Sequence, residues 1–253
     1  MPLNKDSNLY IIGFAAAVCI VCSIFVSGAA VSLRPQQQAN AKLDLQKNVV
    51  SVSGLKAAGS DAESIGALFK EGIPDRIQVK YISLESGTAL TLSEEDGAKK
   101  LKECSAISPN PAQLRCYTQT QKIYEVYMEG KLDRVILPVE GKGLWSTLKG
   151  FLAINKDGNT VKGLTFYSHA ETPGLGGEID NPEWKAKWPD KKAYNEKGAA
   201  LRVSKGSSQD ENHEIDGLSG ATLTSNGVTD MVQFWLGEKG YGPYLKKMQT
   251  GGS

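Results

Sequence analysis

The chain has 253 residues, 40% of them hydrophobic and 23% charged, with a formal net charge of +1. That length supports one sizeable domain or two small ones. The near-balanced charge gives no electrostatic reason to expect a nucleic acid or a strongly acidic partner, and the two histidines, His169 and His213, lie far apart with no Cys/His spacing of a zinc site.

Leu9 to Leu33 carries no charged residue. As a helix it reaches roughly 37 Å, against a hydrocarbon core of roughly 30 Å, so it is long enough to span with tilt. Ser27-Gly28-Ala29 resembles a signal-peptidase site. A signal core of about 7–15 residues is shorter than this run, which favours a retained transmembrane helix. The small residues Gly13, Ala15, Ala16, Ala17, Gly28, Ala29 and Ala30 permit close contact with neighbouring helices, as in one component of a larger membrane complex. Lys5 precedes the span, whereas Arg34, Lys42 and Lys47 follow it. Counted simply, that places the large domain in the cytoplasm, although long domains cross largely regardless of charge.

Gln36 to Gln46 continues the helix out of the membrane, and Leu43, Val49, Val50, Val52 and Leu55 mark entry into a globular domain. Asp61 to Lys70 reads as a short helix capped by Asp61, with Ile65, Leu68 and Phe69 as its buried side. Ile77 to Ile82 alternates as a strand, a helix can start at Ser93, and Pro109 and Pro111 mark a loop. Strand signals then follow at Lys122–Met128, Leu132–Val139 (ending near Pro138), Leu148–Asn155 and Thr160–Ser168. Glu129-Gly130-Lys131 and Lys156-Asp157-Gly158-Asn159 form the turns. These predict an α+β domain with a mostly antiparallel sheet and peripheral helices.

Trp184, Trp188 and Tyr194 stand among lysines. With near-zero net charge and a membrane span, core anchors or a partner surface fit better than a single-stranded nucleic-acid platform. Ala200 to Val203 reads as a strand, and Pro243 to Met248 forms a short terminal segment. Of the cysteines, Cys19 and Cys22 lie in the apolar run, where cysteine is an ordinary apolar residue as well as a redox group. Cys104 and Cys116 are open to two readings, a disulfide or two free thiols.

Three segments carry chemistry. Ser219-Gly220-Ala221-Thr222-Leu223-Thr224-Ser225 runs straight into a helical pattern, with Val228, Met231, Val232 and Trp235 on one face. A helix start offers free N–H groups and the positive end of the dipole, which suit a phosphate. The plainer reading of these hydroxyls is an N-cap. Gly141-Lys142-Gly143-Leu144-Trp145-Ser146 and His169-Ala170-Glu171-Thr172-Pro173-Gly174-Leu175-Gly176-Gly177 are glycine-containing loops at strand ends, where functional loops sit on a rigid scaffold. His169 near Glu171 is a possible acid/base pair, with loop orientation the simpler role. No strand–Gly-x-Gly-x-x-Gly–helix unit for a nicotinamide dinucleotide is present.

Asp216 to Thr224 resembles the flavinylation motif of FMN-binding domains, Asp-x-x-Ser/Thr-Gly-Ala-Ser/Thr-x-Ser/Thr. The two loops resemble those that enclose the flavin there. Over nearly its whole length the chain resembles the NqrC family, the flavin subunits of the sodium-translocating NADH:quinone oxidoreductases. The related Rnf-type ferredoxin–NAD ion-translocating complexes share the motif. A membrane-anchored binding or assembly module without cofactor is the reading from outside redox chemistry.

The resemblance implies FMN held by a phosphoester to Thr224, with Ser219, Gly220, Ala221 and Thr222 shaping the phosphate loop. It further implies that Gly143, Leu144 and Trp145 offer surface to the ribityl chain or ring. Thr172, Leu175 and Gly176 would pack at the ring, and Glu171 would bind a ribityl hydroxyl or orient the loop. No catalytic or metal-ligating residue of the chain's own is implied, and NADH oxidation is expected on another subunit. The implied organisation is a tail at residues 1–8, a transmembrane helix at 9–33, an extracytoplasmic FMN-binding domain at 34–250 and a disordered tail at 251–253. The implied location is the inner membrane, single-pass, with the domain on the periplasmic side, opposite to the simple charge count. Implied partners are the other subunits of the complex and, during maturation, a flavin transferase that recognises the motif and uses FAD.

Overall fold

The computed structural model describes residues 7–251. Residues 1–6, 252 and 253, which hold most of the two expected tails, lie outside the described residues. The chain divides into two compact units, Met1–Asp44 and Leu45–Ser253.

The first unit is helical from Asn8 onward and belongs to α1 (Asn8–Ser53), which continues through Pro35. Among the described residues this is the one helix long and apolar enough to cross a membrane, with a mean hydropathy of 2.7 in its most apolar stretch. Leu9, Ile12, Phe14, Ile20, Ile24, Phe25 and Val31 are all exposed. A helix apolar all round, with none of that surface covered, fits a single-pass anchor. Cys19 and Cys22 are exposed free thiols on it.

The second unit is built on one six-stranded sheet. Its strands are β1 (Arg76–Ser83), β2 (Thr88–Leu90), β3 (Thr120–Met128), β4 (Lys131–Lys142), β5 (Thr147–Asn155) and β6 (Val161–Ser168). Their spatial order is β2-β1-β3-β4-β5-β6. Every neighbouring pair is antiparallel, with Tyr124 opposite Ile136, Leu137 opposite Leu152, and Leu152 opposite Leu164. Side chains alternate between two cores, as a period of two requires. Val135, Leu137, Val139, Leu148, Leu152 and Ile154 enter one core. Ile136, Phe151, Ala153, Tyr124 and Val126 enter the other.

Different helices cover the two faces. The second core is closed by Val49 and Val52, from the last turns of α1, together with Leu68 and Phe69. The latter two follow the short helix α2 (Ala62–Ala67), whose first N–H groups at Glu63 and Ser64 donate to Asp61 at 3.0 and 2.9 Å. Helix α3 (Glu94–Lys100) is capped in the same way by Ser93. The first core is closed by α4 (Pro182–Lys185) with Trp184 and Trp188, by α5 (Thr222–Leu236), and by α6 (Gly242–Gln249). Trp184 and Trp188 are therefore core anchors.

Several expected strand limits move by one or two residues, as at Thr120, and two changes alter the architecture. β4 does not end near Pro138 but runs on to Lys142. Pairing with β3 stops at Tyr124–Ile136, whereas pairing with β5 continues. The carbonyls of Pro138 and Glu140 point away from β5 and accept from Tyr241 Oη at 2.6 Å and Trp235 Nε1 at 2.8 Å. Proline's missing N–H thus faces the side that β3 has vacated, where no ladder bond is lost. Between Ala170 and Arg202, β7 (Tyr194–Asn195) and β8 (Gly198–Ala199) form a minimal hairpin. Ala200–Val203 contracts to β9 (Arg202–Val203), which pairs in parallel with β10 (Glu214–Ile215) outside the main sheet.

The β3–β4 turn uses Glu129 and Gly130, both at positive φ (51° and 75°), as a tight two-residue hairpin demands. Of the two readings for Cys104 and Cys116, the structure shows the disulfide, with Cα atoms 4.9 Å apart.

Candidate functional site

The ends of β4 and β6 and the start of α5 meet at Thr224. Helix α5 begins at Thr222, with Ala221 in the N-cap position and no side-chain cap among the described residues. The N–H groups of residues 222–224 therefore have no intrahelical or capping acceptor. The hydroxyls of the motif are used otherwise than as caps. Ser225 Oγ accepts from Leu218 N at 3.2 Å, and Thr224 Oγ1 donates to Glu171 Oε2 at 2.6 Å. Ser219 and Thr222 are exposed, Ala221 is buried, and Gly220 turns the chain at φ +69°.

Glu171 joins the three segments. It is 5% exposed, and Thr224 is 1% exposed. Besides the Thr224 hydroxyl, its carboxylate accepts from the N–H groups of Leu144 (3.2 Å), Trp145 (3.0 Å) and Ser146 (3.3 Å). Ser146 Oγ accepts in turn from Ala170 N at 2.7 Å, which ties the 143–146 loop to the segment carrying Glu171. Burial alone would raise the Glu171 pKa. The donors from Thr224, Trp145, Leu144 and Ser146 outweigh it and hold the carboxyl below its ordinary value. The group is therefore ionised at neutral pH.

His169 forms no acid/base pair with that carboxylate. Its Nδ1 accepts from Glu171 N at 3.2 Å, and Nε2 faces Asp180 Oδ2 at 2.7 Å. This arrangement sets the loop's direction.

The glycines are spaces that a side chain would fill. A Cβ at Gly143 would lie 2.6 Å from Glu171 Oε1. One at Gly176 would lie 2.5 Å from Thr224 Oγ1 and 2.9 Å from Glu171 Oε2. Around this buried polar knot four apolar side chains stand exposed: Leu144 (41%), Trp145 (67%), Leu175 (44%) and Leu223 (60%). Thr172 is exposed beside them, and its carbonyl accepts from Leu175 N and Gly177 N, closing the turn.

Asp216, at the head of the motif, accepts from Lys187 Nζ at 2.6 Å and Ser208 N at 2.7 Å. The lysine, first, and then the peptide N–H hold its carboxyl below the ordinary range.

The structure thus brings together Gly143, Leu144, Trp145, Glu171, Thr172, Leu175, Gly176, Gly220 and Thr224. Ser219 and Thr222 remain at the rim. Sequence reasoning missed the parts played by Ser146, Leu223 and Asp180. Ser146 was visible as the last residue of its loop motif. Leu223 was visible only as an apolar residue off the buried stripe of α5. Nothing in sequence links Asp180 to His169.

The site suits a phosphate-bearing ligand with a flat apolar body. It offers a hydroxyl at a helix start, uncapped N–H groups, glycines where close approach is needed, and exposed apolar surface alongside.

A family model described as the FMN-binding domain matches residues 143–237, from the first of these loops to the end of α5. Over 256 residues the chain is 43% identical to the NqrC subunit of the Na(+)-translocating NADH-quinone reductase of Vibrio alginolyticus, covering 99% of each protein. It is 41% identical to the equally named protein from Pseudomonas aeruginosa, covering 98% of each. Among solved structures, Shewanella oneidensis NqrC superimposes with a TM-score of 0.71 at 28% identity, covering 83% of this chain and 99% of that one. The corresponding Parabacteroides distasonis protein superimposes at 0.64 with 25% identity, covering 84% and 96%.

Proposed function

As the chain belongs to the family of NqrC subunits of the Na(+)-translocating NADH-quinone reductases, we propose that it carries FMN as a phosphoester on Thr224 and relays electrons within that complex. The observation that carries this reading is Thr224 itself. It is a hydroxyl in the first, uncapped turn of α5, inside the matched FMN-binding segment, with Gly176 rather than a larger residue against its oxygen.

An unmodified threonine has no redox chemistry, and FMN supplies it when bound. The chain's residues do the holding. Ser219, Gly220, Ala221 and Thr222 shape the phosphate end. Leu144, Trp145, Leu175 and Leu223 offer apolar surface to the ring. Thr172, Gly143 and Gly176 set the loop shapes. An ester link keeps the cofactor in place through both redox states, which suits a relay rather than a substrate-turnover site.

In this reading residues 34–250 form the flavin domain, on the outer side of the inner membrane, with residues 9–33 as the span. The Cys104–Cys116 bridge supports that placement, because disulfides persist in oxidising compartments. The other subunits of the complex are the working partners, and a flavin transferase acting on Asp216–Thr224 is the maturation partner.

The test is co-expression with a flavin transferase, denaturation in gel, and ultraviolet illumination. A fluorescent band at the chain's mass is expected. A dark band contradicts the reading and leaves a tethered binding module.

A further inference from the structure

Thr224 is nearly inaccessible. Its Oγ1 lies 2.6 Å from Glu171 Oε2 and the residue is 1% exposed. Gly176 is packed so closely that even a methyl group there would fall 2.5 Å from the hydroxyl oxygen. A phosphorus atom cannot reach that oxygen while Glu171 and Gly176 stay where they are. Glu171 is held in turn from outside Thr224, by three peptide N–H groups of residues 144–146, with Ser146 Oγ bonded back to Ala170 N. The carboxylate therefore closes two loops over the start of α5 at once.

We propose that Glu171 is a latch that shuts Thr224 off in the folded, unmodified chain, so that the phosphoester forms only after the Glu171 segment swings away. This rests on the reading that FMN is joined to Thr224. The joining step takes the flavin from a flavin adenine dinucleotide. The Thr224 Oγ1–P bond forms, the pyrophosphate P–O bond breaks, adenylate leaves, and the hydroxyl proton is released to solvent, with no change of oxidation state.

The product cannot relatch. Its ester oxygen has no proton to donate, and the phosphodiester places a second negative charge beside the carboxylate, where like charges repel strongly in a partly dry site. Attachment is thus a one-way step for the loops as well as for the threonine.

The experiment uses the full chain, produced without a flavin transferase and kept in detergent, then incubated with the transferase and flavin adenine dinucleotide. Intact mass is followed for the gain of FMN less one water. Loss of a charge-assisted hydrogen bond should shift the open fraction about ten-fold or more, so Glu171→Ala should gain the mass about ten times faster than the unsubstituted chain. An equal or slower rate overturns the latch.

A second measurement needs no flavin. In Thr224→Val, amide exchange at Leu144, Trp145 and Ser146 should quicken several-fold, and unchanged protection overturns the latch. If neither the unsubstituted chain nor Glu171→Ala gains the mass, the flavin reading of Thr224 fails, and the exchange result still decides the latch.

Discussion

Thr224→Val should reduce covalently bound FMN to background while leaving the domain folded. Valine matches threonine in shape but has no oxygen to esterify, so the loss is chemical rather than steric. The structural cost is one hydrogen bond to a buried carboxylate, about 1.5–3 kcal/mol. Glu171 keeps its three peptide donors from residues 144–146. That cost is a fraction of the roughly 5–15 kcal/mol that holds a domain together. The measurement is flavin fluorescence of the denatured band, normalised to protein and compared with Thr250→Val, which is exposed just after α6 and lies outside the motif. Thr250→Val should keep its fluorescence. A bright band from Thr224→Val moves the attachment to another residue.

The second large effect is expected at Gly227→Ala, in the second turn of α5, in the site's scaffold rather than at the ligand. A Cβ there would meet Lys142 O at 2.3 Å and Gly143 Cα at 3.3 Å, and both are backbone atoms that no rotamer change can move. Helix propensity argues the other way, since alanine favours a helix interior by about 1 kcal/mol over glycine. Overpacking against a fixed neighbour typically costs about 1–3 kcal/mol, occasionally more. Here the neighbour is the end of β4, where Gly141 also gives way to Met231. The clash should win, with α5 displaced from β4, a net loss of about 2 kcal/mol in urea unfolding, and several-fold lower flavin loading. A variant as stable as the parent, with full loading, contradicts this packing.

The elements that could be read from sequence are those whose signal is local. Alternation marks β4 and β5, because Val135, Leu137 and Val139 go one way and Ile136 the other. The Glu129–Gly130 and Asp157–Gly158 turns announce themselves through their glycines, which accept the positive φ found at Gly130 and Gly158. Asp61 and Ser93 cap as their positions suggest. What escaped reading depends on distance in the chain. The extension of β4 past Pro138 rests on Trp235 and Tyr241, about a hundred residues later, which take up the carbonyls that β3 leaves. β9 and β10 are too short for periodicity to distinguish, and their parallel pairing is set by the intervening loop.

The site divides in the same way. Thr224 and the two glycine-containing loops were legible through a resemblance that joins three separate segments. The reason they belong together was not, because it is a single carboxylate. Glu171 reads in sequence as a charge beside a histidine. In the fold its carboxylate leaves the His169 ring to its own peptide N–H and collects donors from residues 144–146 and from Thr224. Only the approach of β4, β6 and α5 reveals that convergence. It also changes what the charge means. A carboxylate supplied with its own donors stays ionised, and it acts on the loops that carry them.

The central claim is a bond to one oxygen, and the most direct test is the mass of the protease fragment that contains Thr224, taken from chain matured with a flavin transferase. The account predicts a fragment heavier by FMN less one water, with fragmentation placing the added mass on Thr224 and not on Ser219, Thr222 or Ser225. An unmodified fragment from protein shown to have met an active transferase, or an added mass on another residue, would contradict it.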